Sequence, residues 1–164
     1  VDAGGDGLDS NGSIEITGGT VIVNGPTNNG NGAVDYNSSF KMTGGTLIAA
    51  GSSGMAEGPD NSSTQNSVLV NFTSQQQAGT LVHIQSSDGQ DILTFAPGKT
   101  YQSLVFASAG LTTGSGYTIW LGGTSSGTVT DGLYQGGTYS GGSQYTDFTV
   151  SSVSTVLGKA GMLR

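Results

Sequence analysis

The side chains best suited to chemistry sit in two glycine-rich segments, GGDGLDSNG at 4–12 and NGAVDYN at 31–37. They offer the oxygens of Asp6, Asp9, Asn11, Asp35 and Asn37 at corners of the chain. Asp9 and Asp35 are 26 residues apart, and the same offset pairs Asn11 with Asn37, Ile14 with Phe40 and Ile16 with Met42. Copies stacked as parallel strands lie about 4.8 Å apart, which makes Asp9 and Asp35 close like charges with no basic neighbour in sequence. A bound cation answers such a ladder. Calcium takes about six to eight oxygen ligands from carboxylates, amides and carbonyls, and glycine-rich turns leave carbonyls open to it. The competing reading is structural, with Asp and Asn making side-chain turns and an asparagine ladder. The spacing is not that of an EF-hand loop.

A second set is aromatic. Tyr36, Trp120, Tyr134, Tyr139 and Tyr145 offer flat rings on which the apolar faces of sugars stack. Core packing, or cover for a junction between layers, is the alternative use of the same rings. His83, the single histidine, alternates with Val82 and Ile84, so it faces solvent or a partner sheet. It has no Ser/Asp pattern nearby and makes no triad. Lys41 is a conceivable lyase base beside calcium, but Glu15 is its expected stacking partner and the one arginine is Arg164, near the end. Asp9, Asp35 and Glu15 could supply a hydrolytic carboxylate pair, yet nothing places them around a cleft. The Thr17/Thr43 and Thr20/Thr46 columns are too short for an ice-binding face. Sequons at Asn11, Asn37, Asn61 and Asn71 matter only in a eukaryotic secretory route.

Positioning these groups requires an all-β chain. Among 164 residues 30 are glycine and only 9% are charged, so long helices lack their usual material. The net charge is −7, and Lys41, Lys99, Lys159 and Arg164 are the only basic residues. That balance argues against a nucleic-acid partner, which needs a basic stripe, and against an anionic membrane. No apolar run is long enough to cross a membrane. Cysteine is absent, so there is no disulfide framework and no thiolate zinc site.

The repeat GLDSNGSIEITGGTVIVNG (7–25) and AVDYNSSFKMTGGTLIAAG (33–51) suggests a solenoid with one coil per copy. The expected fold is a right-handed parallel β-helix over 1–58. A β-sandwich-like or antiparallel C-terminal cap follows over 59–157, then a tail over 158–164. Ile14, Ile16, Val21 and Val23 are expected to face inward above Phe40, Met42, Leu47 and Ala49. Glu15 and Lys41 then stack outside, and Ile22 and Ile48 form an outer apolar row for the C-terminal half to cover. Later strands are expected at 67–72, 80–86, 91–95, 103–108, 117–123 and 148–153. VDAGGDG reads as the middle of a repeat, which implies further coils upstream. An open coil end leaves a strand edge on which another copy could stack.

As a series, the segments at 4–36, 45–59 and 78–108, together with YQGGTYSGG at 134–142, resemble a bacterial carbohydrate-binding domain-containing family. The resemblance implies a calcium-binding parallel β-helix shaped like a pectate lyase. It implies a non-catalytic module, secreted or on the cell surface, that binds cellulose or acidic sugars such as polygalacturonate. Asp6, Asp9, Asn11 and Asp35 are the positions onto which calcium binding carries over. A structural role in an adhesin or self-assembling fibre is the rival.

Overall fold

The computed structural model describes residues 1–159, and the end of the expected tail, with Arg164, lies outside the described residues. Fifteen strands are present: β1 (Leu8–Ser10), β2 (Ser13–Asn24), β3 (Val34–Tyr36), β4 (Ser39–Gly51), β5 (Ser67–Gln76), β6 (Val82–Ser86), β7 (Asp91–Phe95), β8 (Tyr101–Ala107), β9 (Gly116–Leu121), β10 (Thr124–Ser125), β11 (Thr128–Thr130), β12 (Leu133–Gln135), β13 (Tyr139–Ser140), β14 (Ser143–Thr149) and β15 (Ser154–Leu157). The last differs from expectation: 148–153 divides between the end of β14 and a connection, and β15 follows.

The two repeat copies pair in parallel. β1 meets β3 with Asp9 opposite Asp35, and β2 meets β4 with Ile14 opposite Phe40, Glu15 opposite Lys41 and Ile16 opposite Met42. The register slips at the corners, where Thr17 meets Gly44, and returns at Thr20 opposite Thr46. Gly19 and Gly45 turn these corners with φ of 77° and 81°, a region closed to most side chains. Lys41 reaches Glu15 at 3.6 Å, an exposed pair worth a few tenths of a kcal/mol.

The parallel β-helix does not follow from this pairing. The strands form four sheets of two, two, six and five strands; only the β1–β3 pair is wholly parallel, the others are mixed or antiparallel, and none is closed or solenoidal. The five-stranded sheet runs β15-β5-β8-β4-β2, and the six-stranded one β11-β12-β7-β6-β9-β14. Stacking ends after two copies because β8 takes the second edge of β4 antiparallel, with Phe106 opposite Ile48 and Leu104 opposite Ala50. The outcome is sandwich-like. Ile48, Val68, Val70, Leu104 and Phe106 from the five-stranded sheet pack on Val82, Ile84, Leu93, Phe95, Tyr117 and Ile119 from the six-stranded one. Ile22 joins them, so the outer apolar row of the repeat lines the main core.

The five-stranded sheet also buries its other face. Ile16, Val23, Phe40, Met42, Leu47, Ala49, Leu69 and Val105 pack there with Ala33 and Val34. Burial on both faces explains why β4, β5 and β8 carry near-continuous apolar runs rather than strict alternation. The sheet takes β2 and β4 from before residue 58 and β5, β8 and β15 from after it. Residues 1–3 lie along the end of β2, where the Ala3 amide donates to the Asn24 carbonyl at 2.8 Å. Lys99 fixes them by donating to the Ala3 carbonyl at 2.6 Å and pairing with Asp2.

Candidate functional site

The outer face of the six-stranded sheet brings two of the predicted aromatic residues, Trp120 and Tyr139, together with His83. On β6, Val82 and Ile84 point into the core, so His83 and Gln85 point outward. His83 is flanked in register by Thr94 on β7 and Trp120 on β9. Gln85 is flanked by Asp91 and Thr118. Above this row lies the short pair of β10 and β13, which brings Tyr139 over His83. The two rings stack at 3.9 Å with an interplanar angle of 15°. The result is an open pocket of about 380 Å³, lined by His83, Gln85, Asp91, Trp120 and the glycine-rich segment 137–142.

Two local features hold Tyr139 in place. Its hydroxyl donates to the Gly122 carbonyl at 2.8 Å. Gly142 leaves the space that this hydroxyl occupies, because a Cβ at 142 would collide with it. Burial raises the Tyr139 pKa, so the ring remains a neutral phenol.

Beneath it runs a short hydrogen-bonded chain. The Thr94 hydroxyl lies 3.1 and 3.2 Å from the two Asp91 carboxylate oxygens and 2.8 Å from His83 Nδ1. The hydroxyl has one proton, which the carboxylate takes, so its lone pair faces Nδ1 and that nitrogen carries hydrogen. His83 is 2% exposed, and burial lowers its pKa against the opposing pull of Asp91, whose Oδ1 is 3.4 Å from Nδ1. The imidazole is therefore neutral at pH 7, and the charge at the site is that of Asp91. Trp120 adds a buried indole N–H that finds no acceptor among the protein's groups. An unsatisfied buried donor of that kind is a local cost to the fold.

Trp120 and Tyr139 are thus brought together. Tyr134, on β12, lines a neighbouring groove with Asp91 and Gly137. Tyr36 and Tyr145 serve packing. Tyr36 meets Phe40 edge-on at 5.9 Å and donates to the Gly58 carbonyl, while Tyr145 packs on Phe72 at 5.2 Å and accepts from the Thr73 amide. Asn71 is 4% exposed, so its sequon presents no free amide for a glycan.

The acidic corner is elsewhere, and its donors do not close around one point. Asp6 Oδ1 accepts from the Gly32 amide at 2.8 Å, while Asp9, Asn11 and Asn37 face outward. Asp35 lies beside Glu57, a neighbour that sequence spacing gave no reason to expect. Glu57 accepts from the Tyr36 amide at 2.9 Å. Its pKa is raised by burial and by the charge of Asp35, although the Tyr36 bond pulls it down. Among the described residues no three acidic, histidine or cysteine side chains are disposed to hold a metal.

The repulsion has a measurable consequence. Because Glu57 binds protons more tightly folded than unfolded, stability falls as pH rises from its ordinary value of 4.5 through its raised folded value. In chelator at pH 7, Asp35→Asn is expected to stabilise the fold by about 0.5–1 kcal/mol and flatten that slope. Thermal melts at pH 4.5 and 7 check this. A variant that is less stable than wild type, and only when calcium is added, would instead establish a metal site there.

Comparison with protein-family models, curated proteins and solved structures finds no match.

Proposed function

We propose that this chain is a non-catalytic carbohydrate-binding module, working outside the cell or on its surface, with a polysaccharide of the cellulose or pectin kind as partner. The observation that carries this reading is the meeting of Trp120 and Tyr139 at one open pocket with Gln85, Asp91 and a neutral histidine. Flat rings for the apolar sugar face, with a few fixed polar groups for its hydroxyls, are what such a ligand requires. The resemblance of the 4–36 and 78–108 segments to a carbohydrate-binding family supports the same conclusion.

Trp120 is the only tryptophan, so its emission reports directly on the pocket. Titration with soluble oligosaccharides from cellulose and pectin is expected to shift that emission. Trp120→Ala is expected to weaken retention on the insoluble polymer about tenfold or more. Unchanged emission across the series, with folding verified by circular dichroism, counts against the reading.

A second reading, self-assembly, is favoured by the edge position of β2, a strand of 12 residues. Among the described residues only the segment 1–3 lies on its free edge, over Ile22 to Asn24. An open edge of this length is a template for another strand. Filaments in electron micrographs of concentrated protein would favour it, and monodisperse particles would not.

A further inference from the structure

We propose that the pocket beside Trp120 takes an uncharged sugar and turns uronic acids away. This rests on the carbohydrate-binding reading and settles its open choice between neutral and acidic polysaccharide.

The argument is one of charge. Asp91 is the single charged side chain among the groups that line the pocket, and its carboxylate is half exposed at 47%. Its two oxygens are answered by one neutral hydroxyl, that of Thr94. His83 could neutralise it only by taking a proton, and burial disfavours the charged ring. No lysine or arginine among the described residues lines the pocket. Lys41 is engaged by Glu15 on the five-stranded sheet, and Lys99 holds Asp2 and the Ala3 carbonyl. The chain as a whole carries −7, which repels a polyanion before it arrives.

A uronate carboxylate is normally held by the fork of an arginine or the ammonium of a lysine. Here it would meet a like charge. The same carboxylate is well suited to neutral sugars, because its oxygens accept from two adjacent hydroxyls. Specificity then arises from repulsion of the wrong ligand as well as attraction of the right one.

The test is an array of neutral and uronic plant polysaccharides, read at pH 7 and low salt with the whole chain. Methyl-esterified and de-esterified homogalacturonan share one backbone and differ only in whether each carboxyl is a neutral methyl ester or an anion. The retained glycans are expected to be uncharged, with uronides bound about tenfold or more weakly. Asp91→Asn is expected to narrow the gap by raising uronide binding. Should that variant fold poorly, salt near 1 M does the same work on the wild type, since the screening length falls to about 3 Å. Retention of a uronide as strong as that of any neutral glycan overturns the proposal, as does a gap that neither change narrows. Uronide retention that is lost in Trp120→Ala overturns this proposal alone and leaves the carbohydrate reading standing. Retention of nothing overturns both.

Discussion

Phe106→Ala is expected to remove a large share of the stability of the fold. Phe106 lies next to the end of β8, 1% exposed, between Ile48 on β4 and Val68 on β5. All three belong to the core between the two large sheets, where Phe95 and Ile84 approach from the other side. Its neighbours are held by ladders on both edges and cannot collapse into the space. Truncation of a buried phenylalanine costs about 3–5 kcal/mol in such a setting, against a total of about 5–15 kcal/mol for a domain. A urea titration followed by circular dichroism reads the difference directly. A loss below about 1 kcal/mol would mean that the sheets do not pack as described.

Gly142→Ala is expected to abolish the pocket while leaving the sandwich intact. The new methyl would occupy the position of the Tyr139 hydroxyl and crowd the Leu121 carbonyl, 3.0 Å away. Tyr139 must then leave Gly122, and its stack on His83 is lost with it. Trp120 emission is expected to move to the red as water enters, and saccharide retention to fall about tenfold or more. The core lies on the opposite face of the sheet, so the melting temperature is expected to drop by only a few degrees, as for a change of about 1 kcal/mol. Adding Tyr139→Phe removes the hydroxyl and is expected to recover part of the binding. Full retention in the single variant would show that Tyr139 does not shape the site.

The repeat was legible because two copies of one pattern, stacked in register, must align like with like. Asp9 with Asp35, Glu15 with Lys41 and Ile14 with Phe40 all follow from a single offset. The cover over Ile22 and Ile48 was legible as well, since an apolar row on the outer face needs a partner. The strand that ends the stack was not. β8 reads as a short apolar run, and nothing local says that it docks antiparallel on β4 more than 50 residues earlier. A parallel coil and a mixed sandwich share the same alternation, so pattern alone favoured the solenoid. Half of the site was also within reach. The Asp88-Gly89 pair marks the hairpin that joins β6 to β7, although its three-residue loop and the register shift at Ile92 are what set Thr94 opposite His83. Tyr139 was harder, because its segment has no periodicity and reaches His83 through a glycine-shaped approach. The acidic corner shows the limit from the other side: the spacing placed Asp9 on Asp35, but Glu57 comes from an irregular stretch whose path no pattern encodes.

The middle position of β8 has a bearing on how the chain is made. Synthesis delivers both repeat copies first, yet the free edge of β4 over 47–51 waits for residues 103–107. β5, released in between, waits for the same strand. Through that interval the nascent chain presents two sticky ribbons with apolar side chains on both sides, and neither has its partner. Elongation at about 5–20 residues per second leaves the gap open for seconds, long enough for neighbouring ribosomes on one message to tangle their products. The gaps among apolar positions filled by Ser, Thr, Asn and Gly in both repeat copies then serve a purpose beyond turning corners, by keeping those waiting ribbons soluble.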